Sequence, residues 1–167
     1  NEKLLQKTEK IENWKMDSIY VNTQKVYNSY GLSTDETDAN GNTTHYIYDS
    51  YNLYPISVTN ALGQTVNYLY DYSSGKPKQI TDQNGFIYQT VFDGLDRILE
   101  EKIPNFSAPY DLVIKTQYTY TDIPGSISAQ ATNHLNTSTS ADTYIYFDGL
   151  GRKIQERKEA ENGYSVR

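Results

Sequence analysis

Residues 46–63 read YIYDSYNLYPISVTNALG and residues 68–85 read YLYDYSSGKPKQITDQNG. Laid over each other 22 positions apart, they share an aromatic-x-Tyr-Asp, a proline, a threonine and a glycine in step. The phase extends outward. Gly41, Gly63 and Gly85 coincide, and Asp49, Asp71 and Asp93 each follow an aromatic residue, namely Tyr48, Tyr70 and Phe92. Thr37, Thr59 and Thr81 are followed by Asp38, Asn60 and Asp82, and YNSYGL at 27–32 is echoed by YDSYNL at 48–53. A fixed period of this length marks a repeat array, whose units stack on neighbours because none can bury its own surface alone.

The unit reads as two strands and two turns. Within NTTHYIYD at 42–49, a period of two puts Thr44, Tyr46 and Tyr48 on one face and His45, Ile47 and Asp49 on the other. The next copies place Val66, Tyr68 and Tyr70, then Tyr88, Thr90 and Phe92, on the first of these faces. Asn-Gly at 40–41 and 84–85 predicts two-residue type I′ hairpin turns, with positive φ at both central residues. The Asp after each aromatic predicts an Asx-turn, its carboxylate taking the backbone N–H two residues on. Pro55 and Pro77 suit strand starts. Two strands per repeat predict an all-β chain of tandem antiparallel β-hairpins, about 15 strands forming a curved, ribbon-like sheet of about 70 by 23 Å.

The expected organisation is one array over 1–167, with regular repeats at 3–103, a degenerate repeat with long loops at 104–143 and a final repeat at 144–163. PNFSAPYD at 104–111 reads as an enlarged turn, because two prolines interrupt a ladder. QYTYTD at 117–122 is a degenerate copy, and the Ser/Thr/Asn-rich stretch 125–142 reads as a long surface loop before YIYFDGLGRKIQ resumes at 144. KLLQKTE at 3–9 aligns through Leu5 with Leu99 and Ile154, which predicts a strand there although Leu4, Leu5, Ile11 and Trp14 partly fit a helical period. With Asn162-Gly163 opening a further turn, the array reads as truncated at both ends.

Composition narrows the classes. Seventeen Tyr against four Phe and one Trp mean that the packed surface is built from rings that bury their faces and keep the hydroxyl wet. A net charge of −6 argues against nucleic-acid partners, and the absence of Cys excludes disulfides and thiolate metal sites. No apolar run approaches the roughly 20 residues of a membrane helix, and NEKLLQKTEK lacks the apolar core of a signal peptide.

The two quoted segments, with VFDGLDRILEEK at 91–102 and YFDGLGRKIQERK at 146–158, resemble YD repeats. These are the tandem units of Rhs proteins and of the B and C components of Tc insecticidal toxins, shared with animal teneurins. The resemblance covers 3–163, and the Asp-Gly-Leu-Gly-Arg wording is nearest to the Tc group. It implies a long antiparallel sheet that spirals into a hollow shell, which in toxins encloses an effector and keeps it unfolded until delivery. The implied partners are the remaining repeats of a parent shell and an enclosed effector, with self-association through edge strands, in a secreted or cell-surface protein. Self-cleavage is not implied, since no Asp-Pro occurs here.

Catalytic chemistry finds little support. His45 and His134 are the only neutral-pH bases, and neither adjoins a nucleophile or metalloprotease motif, so no catalytic, cofactor-binding or metal residue is assigned and the chain is read as no enzyme. DETDANGN at 35–42 and DQNG at 82–85 carry oxygen ligands that calcium favours, but both lack the Glu of an EF-hand, and turn chemistry uses the same residues. The tyrosine columns pack across strands or, in the alternative reading of an adhesive or carbohydrate-binding module, stack on sugars through Tyr46 and Tyr68. Sequons lie at Asn42, Asn105 and Asn136.

Overall fold

The computed structural model describes residues 8–16, 19–135, 138–160 and 163–166. The readings at Leu4, Leu5, Asn136 and Asn162 lie outside these residues. The chain divides into two units, Asn1–Gly85 and Phe86–Arg167. In the first, β1 (Thr8–Met16), β2 (Ile19–Tyr27), β3 (Ser33–Thr37), β4 (Thr43–Tyr48), β5 (Pro55–Thr59), β6 (Thr65–Asp71) and β7 (Lys76–Thr81) pair in chain order, each antiparallel to the next. In the second, β8 (Ile87–Phe92), β9 (Ile98–Asn105), β10 (Ala108–Ile123), β11 (Ser126–His134), β12 (Ser140–Phe147), β13 (Lys153–Ala160) and β14 (Gly163–Val166) do the same. Each unit is one open antiparallel sheet, as tandem hairpins require.

The sheet is a single layer, and its energetics follow from that. Among the described residues no hydrophobic side chain of a core type is fully buried; the buried positions are Asp49, Thr116 and Pro104. Stability therefore rests on backbone ladders and on cross-strand pairs worth about 0.2–1 kcal/mol each. The expected faces are seen: Thr44, Tyr46 and Tyr48 are half-buried while His45 and Ile47 are exposed, and Tyr46 stands opposite Val58, which stands opposite Val66. On the reverse face the hydroxyls of Thr37 and Thr43 meet at 2.9 Å and those of Thr59 and Thr65 at 2.8 Å.

The turns differ from the expected type I′. Gly41 has φ +85° and Gly85 +84°, but Asn40 and Asn84 are not among the positive-φ residues. In the loop 38–42 the Gly41 N–H bonds to the Asp38 carbonyl at 3.0 Å and the Asp38 N–H to the Asn42 carbonyl at 2.9 Å. This is a three-residue loop, a type I turn followed by a left-handed residue. The reason lies in Asp38, whose Oδ1 accepts the N–H of Asn40 at 2.8 Å and of Asn42 at 2.9 Å and so satisfies donors that a two-residue turn would leave to the ladder.

Two stretches read as irregular are strands. Residues 126–134 form β11 and 140–147 form β12, in unbroken register from Ile127–Phe147 to His134–Ser140, where a long loop over 125–142 was expected. Ladder bonds come from the backbone, so Ser, Thr, Ala and Gln serve once strands on both sides fix the register. Likewise 104–111 is a tight turn at Phe106-Ser107 followed by a bulge: Asn105 pairs with Ala108 and Pro104 with Leu112. Pro104 sits within the strand because the irregular register beside it relaxes the demand for its missing N–H.

Candidate functional site

The most elaborate side-chain constellation lies at the hairpin between β4 and β5, and aspartate organises it. Asp49, 7% exposed, follows the last residue of β4; its Oδ1 accepts the Leu53 N–H at 2.8 Å and its Oδ2 the Tyr72 hydroxyl at 2.6 Å. Burial raises the Asp49 pKa, but the Tyr72 hydroxyl and the loop amides outweigh it and hold the carboxyl below its ordinary value. The same bond pushes the Tyr72 hydroxyl up to about 12. Around this pair the Tyr54 and Tyr70 rings stack at 4.6 Å, Tyr51 meets Tyr72 edge-on at 5.7 Å, and Tyr68 lies 6.2 Å from Tyr70. Five rings thus connect the loop between β4 and β5 to β6 and the loop that follows it, with contact geometries that add about 0.5–1.5 kcal/mol per pair beyond area burial.

A second constellation was not anticipated from the sequence. In the Asp-Gly-Leu-x-Arg loops, Asp93 Oδ1 accepts the N–H of Leu95 at 2.8 Å and of Arg97 at 2.9 Å, while Arg97 Nε donates to Oδ2 at 2.7 Å. Asp148 repeats this with Leu150 and Arg152 at 2.9, 2.9 and 2.7 Å. The Arg amide and then the guanidinium hold each carboxyl below its ordinary value. Arg97 also donates to Asp122 and stacks 4.2 Å above the Tyr120 ring. The signal was present, an Arg four residues after the Asp in both copies.

The catalytic and metal candidates are placed apart. His45 of β4 bonds through Nδ1 to Asp35 on the neighbouring β3, and His134 lies exposed at the end of β11. In DETDANGN the Asp38 carboxylate serves its own loop, accepting two backbone N–H groups and the Asn42 side-chain amide at 2.9 Å. Asp82 accepts the Asn84 N–H at 2.8 Å. Among the described residues no three His, Asp or Glu side chains converge as a metal site, and no helix is long and apolar enough to cross a membrane. The chemistry of this surface is that of rings, amides and capped carboxylates, suited to holding strands in register.

No protein-family model matches this chain, and no curated protein matches it. Solved structures do. The crystal structure of TcdB2-TccC3-TEV superposes with a TM-score of 0.68 at 10% identity, covering 90% of this chain and 12% of that one. The crystal structure of TcdB2-TccC3-Cdc42 gives 0.70 at 10% identity, covering 96% of this chain and 13% of that one. The resemblance to the Tc-toxin YD-repeat proteins thus holds at the level of the fold, and the chain spans about an eighth of the length of these two neighbours.

Proposed function

We propose that this chain is a non-catalytic length of wall from a YD-repeat shell, which in its complete form encloses an effector polypeptide and keeps it unfolded. The observation that carries this reading is the burial pattern: each unit is a single layer of hairpins with no buried hydrophobic core among the described residues. Such a sheet is a partition. The likeness to TcdB2-TccC3, which is many times longer than this chain, supports a scaffold role. The partners on this reading are the flanking repeats and the enclosed chain, and the place of action is outside the cell or on its surface.

Limited proteolysis of the full-length protein carrying this segment is the test. Enclosure predicts a second fragment that resists protease while the repeats stay folded and is digested once urea opens them. A full-length protein without any protected fragment would sink the reading. One observation favours a second function, adhesion to glycans: Tyr46 and Tyr68 lie half-exposed in the middle of one face of β4 and β6. Reproducible glycan-array binding, lost in Tyr46→Ala and Tyr68→Ala, would establish it instead.

A further inference from the structure

The ring cluster beside Asp49 holds one pair in a geometry that its other contacts lack. Carrying the β5–β6 register three residues beyond Ser57–Asn67 brings Tyr54 opposite Tyr70, and these rings lie 4.6 Å apart with 13° between their planes. Tyr51 instead meets Tyr72 edge-on at 80°, and Tyr68 lies 6.2 Å from Tyr70 at 35°. Tyr54 is also held at its hydroxyl end. A Cβ at Gly75, whose φ is +71°, would stand 2.8 Å from the Tyr54 hydroxyl oxygen, so this glycine makes room for the ring. The repeat does not require two tyrosines here: 22 residues earlier the equivalent positions hold Leu32 and Tyr48, and 22 residues later Lys76 and Phe92. Both neighbouring copies form their strands with a single aromatic at this place.

We propose that Tyr54 and Tyr70 are a site of oxidative cross-linking, at which a haem peroxidase with hydrogen peroxide joins the two rings as dityrosine and fastens the β4–β5 loop to β6. Each ring gives up one electron and its hydroxyl proton. The two phenoxyl radicals then form one carbon–carbon bond between positions ortho to the oxygens, each ortho hydrogen leaves as a proton, and a proton returns to each oxygen. The two electrons and two protons lost in all reduce one hydrogen peroxide to two waters, a one-electron chemistry that haem supplies. Tyr72 is the entry point. It is 51% exposed, whereas Tyr54 and Tyr70 are half-buried, and its hydroxyl donates to Asp49 Oδ2 at 2.6 Å, so the carboxylate takes up the proton as the electron leaves. Tyr54, 5.8 Å away, passes an electron to Tyr72, the proton returns from Asp49, and the Tyr54 hydroxyl proton goes to water. The radical moves on to the stacked Tyr70, and a second oxidation at Tyr72 sets another on Tyr54 beside it. The linkage needs neither an enclosed cargo nor a glycan and so stands apart from both functional readings.

The test treats the full chain at micromolar concentration with a haem peroxidase and hydrogen peroxide. Trypsin releases residues 26–78 as one peptide, because the internal Lys76 precedes Pro77. That peptide should lose two hydrogens and resist fragmentation between 54 and 70. The dityrosine yield should fall about tenfold in Tyr54→Phe and in Tyr70→Phe, because rings held in place react without a bimolecular encounter, and should hold in Tyr46→Phe. Gly75→Ala keeps both tyrosines but displaces Tyr54, and should lower the yield severalfold. Tyr72→Phe should slow the reaction severalfold. The linked chain should unfold at a higher urea concentration, since a cross-link narrows the unfolded ensemble. Linkage chiefly between molecules or at other tyrosines, or a reaction indifferent to Gly75→Ala or to Tyr72→Phe, would overturn the proposal. Circular dichroism of each variant separates a lost ring pair from a lost fold.

Discussion

At the scale of single residues, the loops are governed by one oxygen. Asn28, Asp38, Asn60, Asp93 and Asp148 each accept the N–H groups two and four residues on, which leaves the residue three positions on as the left-handed corner. That corner is glycine in four of these loops and Asp96, at φ +61°, in the other. The Asp-Gly-Leu-x-Arg loops therefore form a matched pair. Asp96→Gly should raise stability by up to about 1 kcal/mol and Gly151→Asp should lower it similarly, because left-handed backbone penalises any side chain; equal urea midpoints for wild type and both variants would contradict the turn assignment. A second expectation concerns Tyr72. Its hydroxyl is raised from 10.0 to about 12 by Asp49, so the unfolded chain releases this proton first and stability falls as pH rises from about 10 to 12. Ultraviolet titration should show a late-ionising fraction of the tyrosines that shrinks by one residue in Tyr72→Phe. Were all tyrosines to titrate together, the Asp49–Tyr72 bond would be refuted.

At the scale of strands, the ladder determines what charge contributes. On β13, Glu156 lies between Lys153 at 2.9 Å and Lys158 at 3.0 Å, and these hydrogen bonds lower its pKa from 4.5 to about 2. A depressed carboxylate stabilises the fold above its unfolded pKa and ceases to do so as pH falls, so Glu156→Gln should flatten the acid side of the stability curve between about 4.5 and 2. Partial exposure of both lysines keeps the effect small. An unaltered acid slope would mean that the triad does not form in solution. The same scale shows what the sequence made legible. Period-two faces and 22-residue columns fixed β4 to β8, because Tyr, Val and Thr there repeat in phase. The finer period escaped: Asp38, Asp49, Asn60, Asp71, Asp82 and Asp93 lie 11 apart, one cap per strand, obscured because the turns on the two rims use different partner residues. β11 escaped because SISAQATNH carries no aromatic column, and Asn-Gly misled on turn type because a cap two residues before the Asn overrides it. The pairing of Arg97 and Arg152 with Asp93 and Asp148 was carried by a spacing of four in both copies, a signal left unread.

At the scale of the whole chain, stability is a sum over neighbouring repeats, with no buried hydrophobic core among the described residues to lose. A globular domain of this length does not survive loss of an internal element, whereas a one-dimensional array rejoins at equivalent positions and forfeits one interface. Residues 60–81 are one full repeat, and their removal joins Thr59 directly to Asp82, which restores the Thr-Asp step of every other copy. It also brings β5 to β8, replacing β6 while preserving alternation of strand direction. Urea denaturation of this deletion variant, followed by far-ultraviolet circular dichroism, is the most direct test. The account predicts a folded β-protein that unfolds cooperatively at a modestly lower midpoint, with an m-value reduced in proportion to the repeat removed. A chain that is unfolded in water, or that loses all cooperative unfolding, would contradict it.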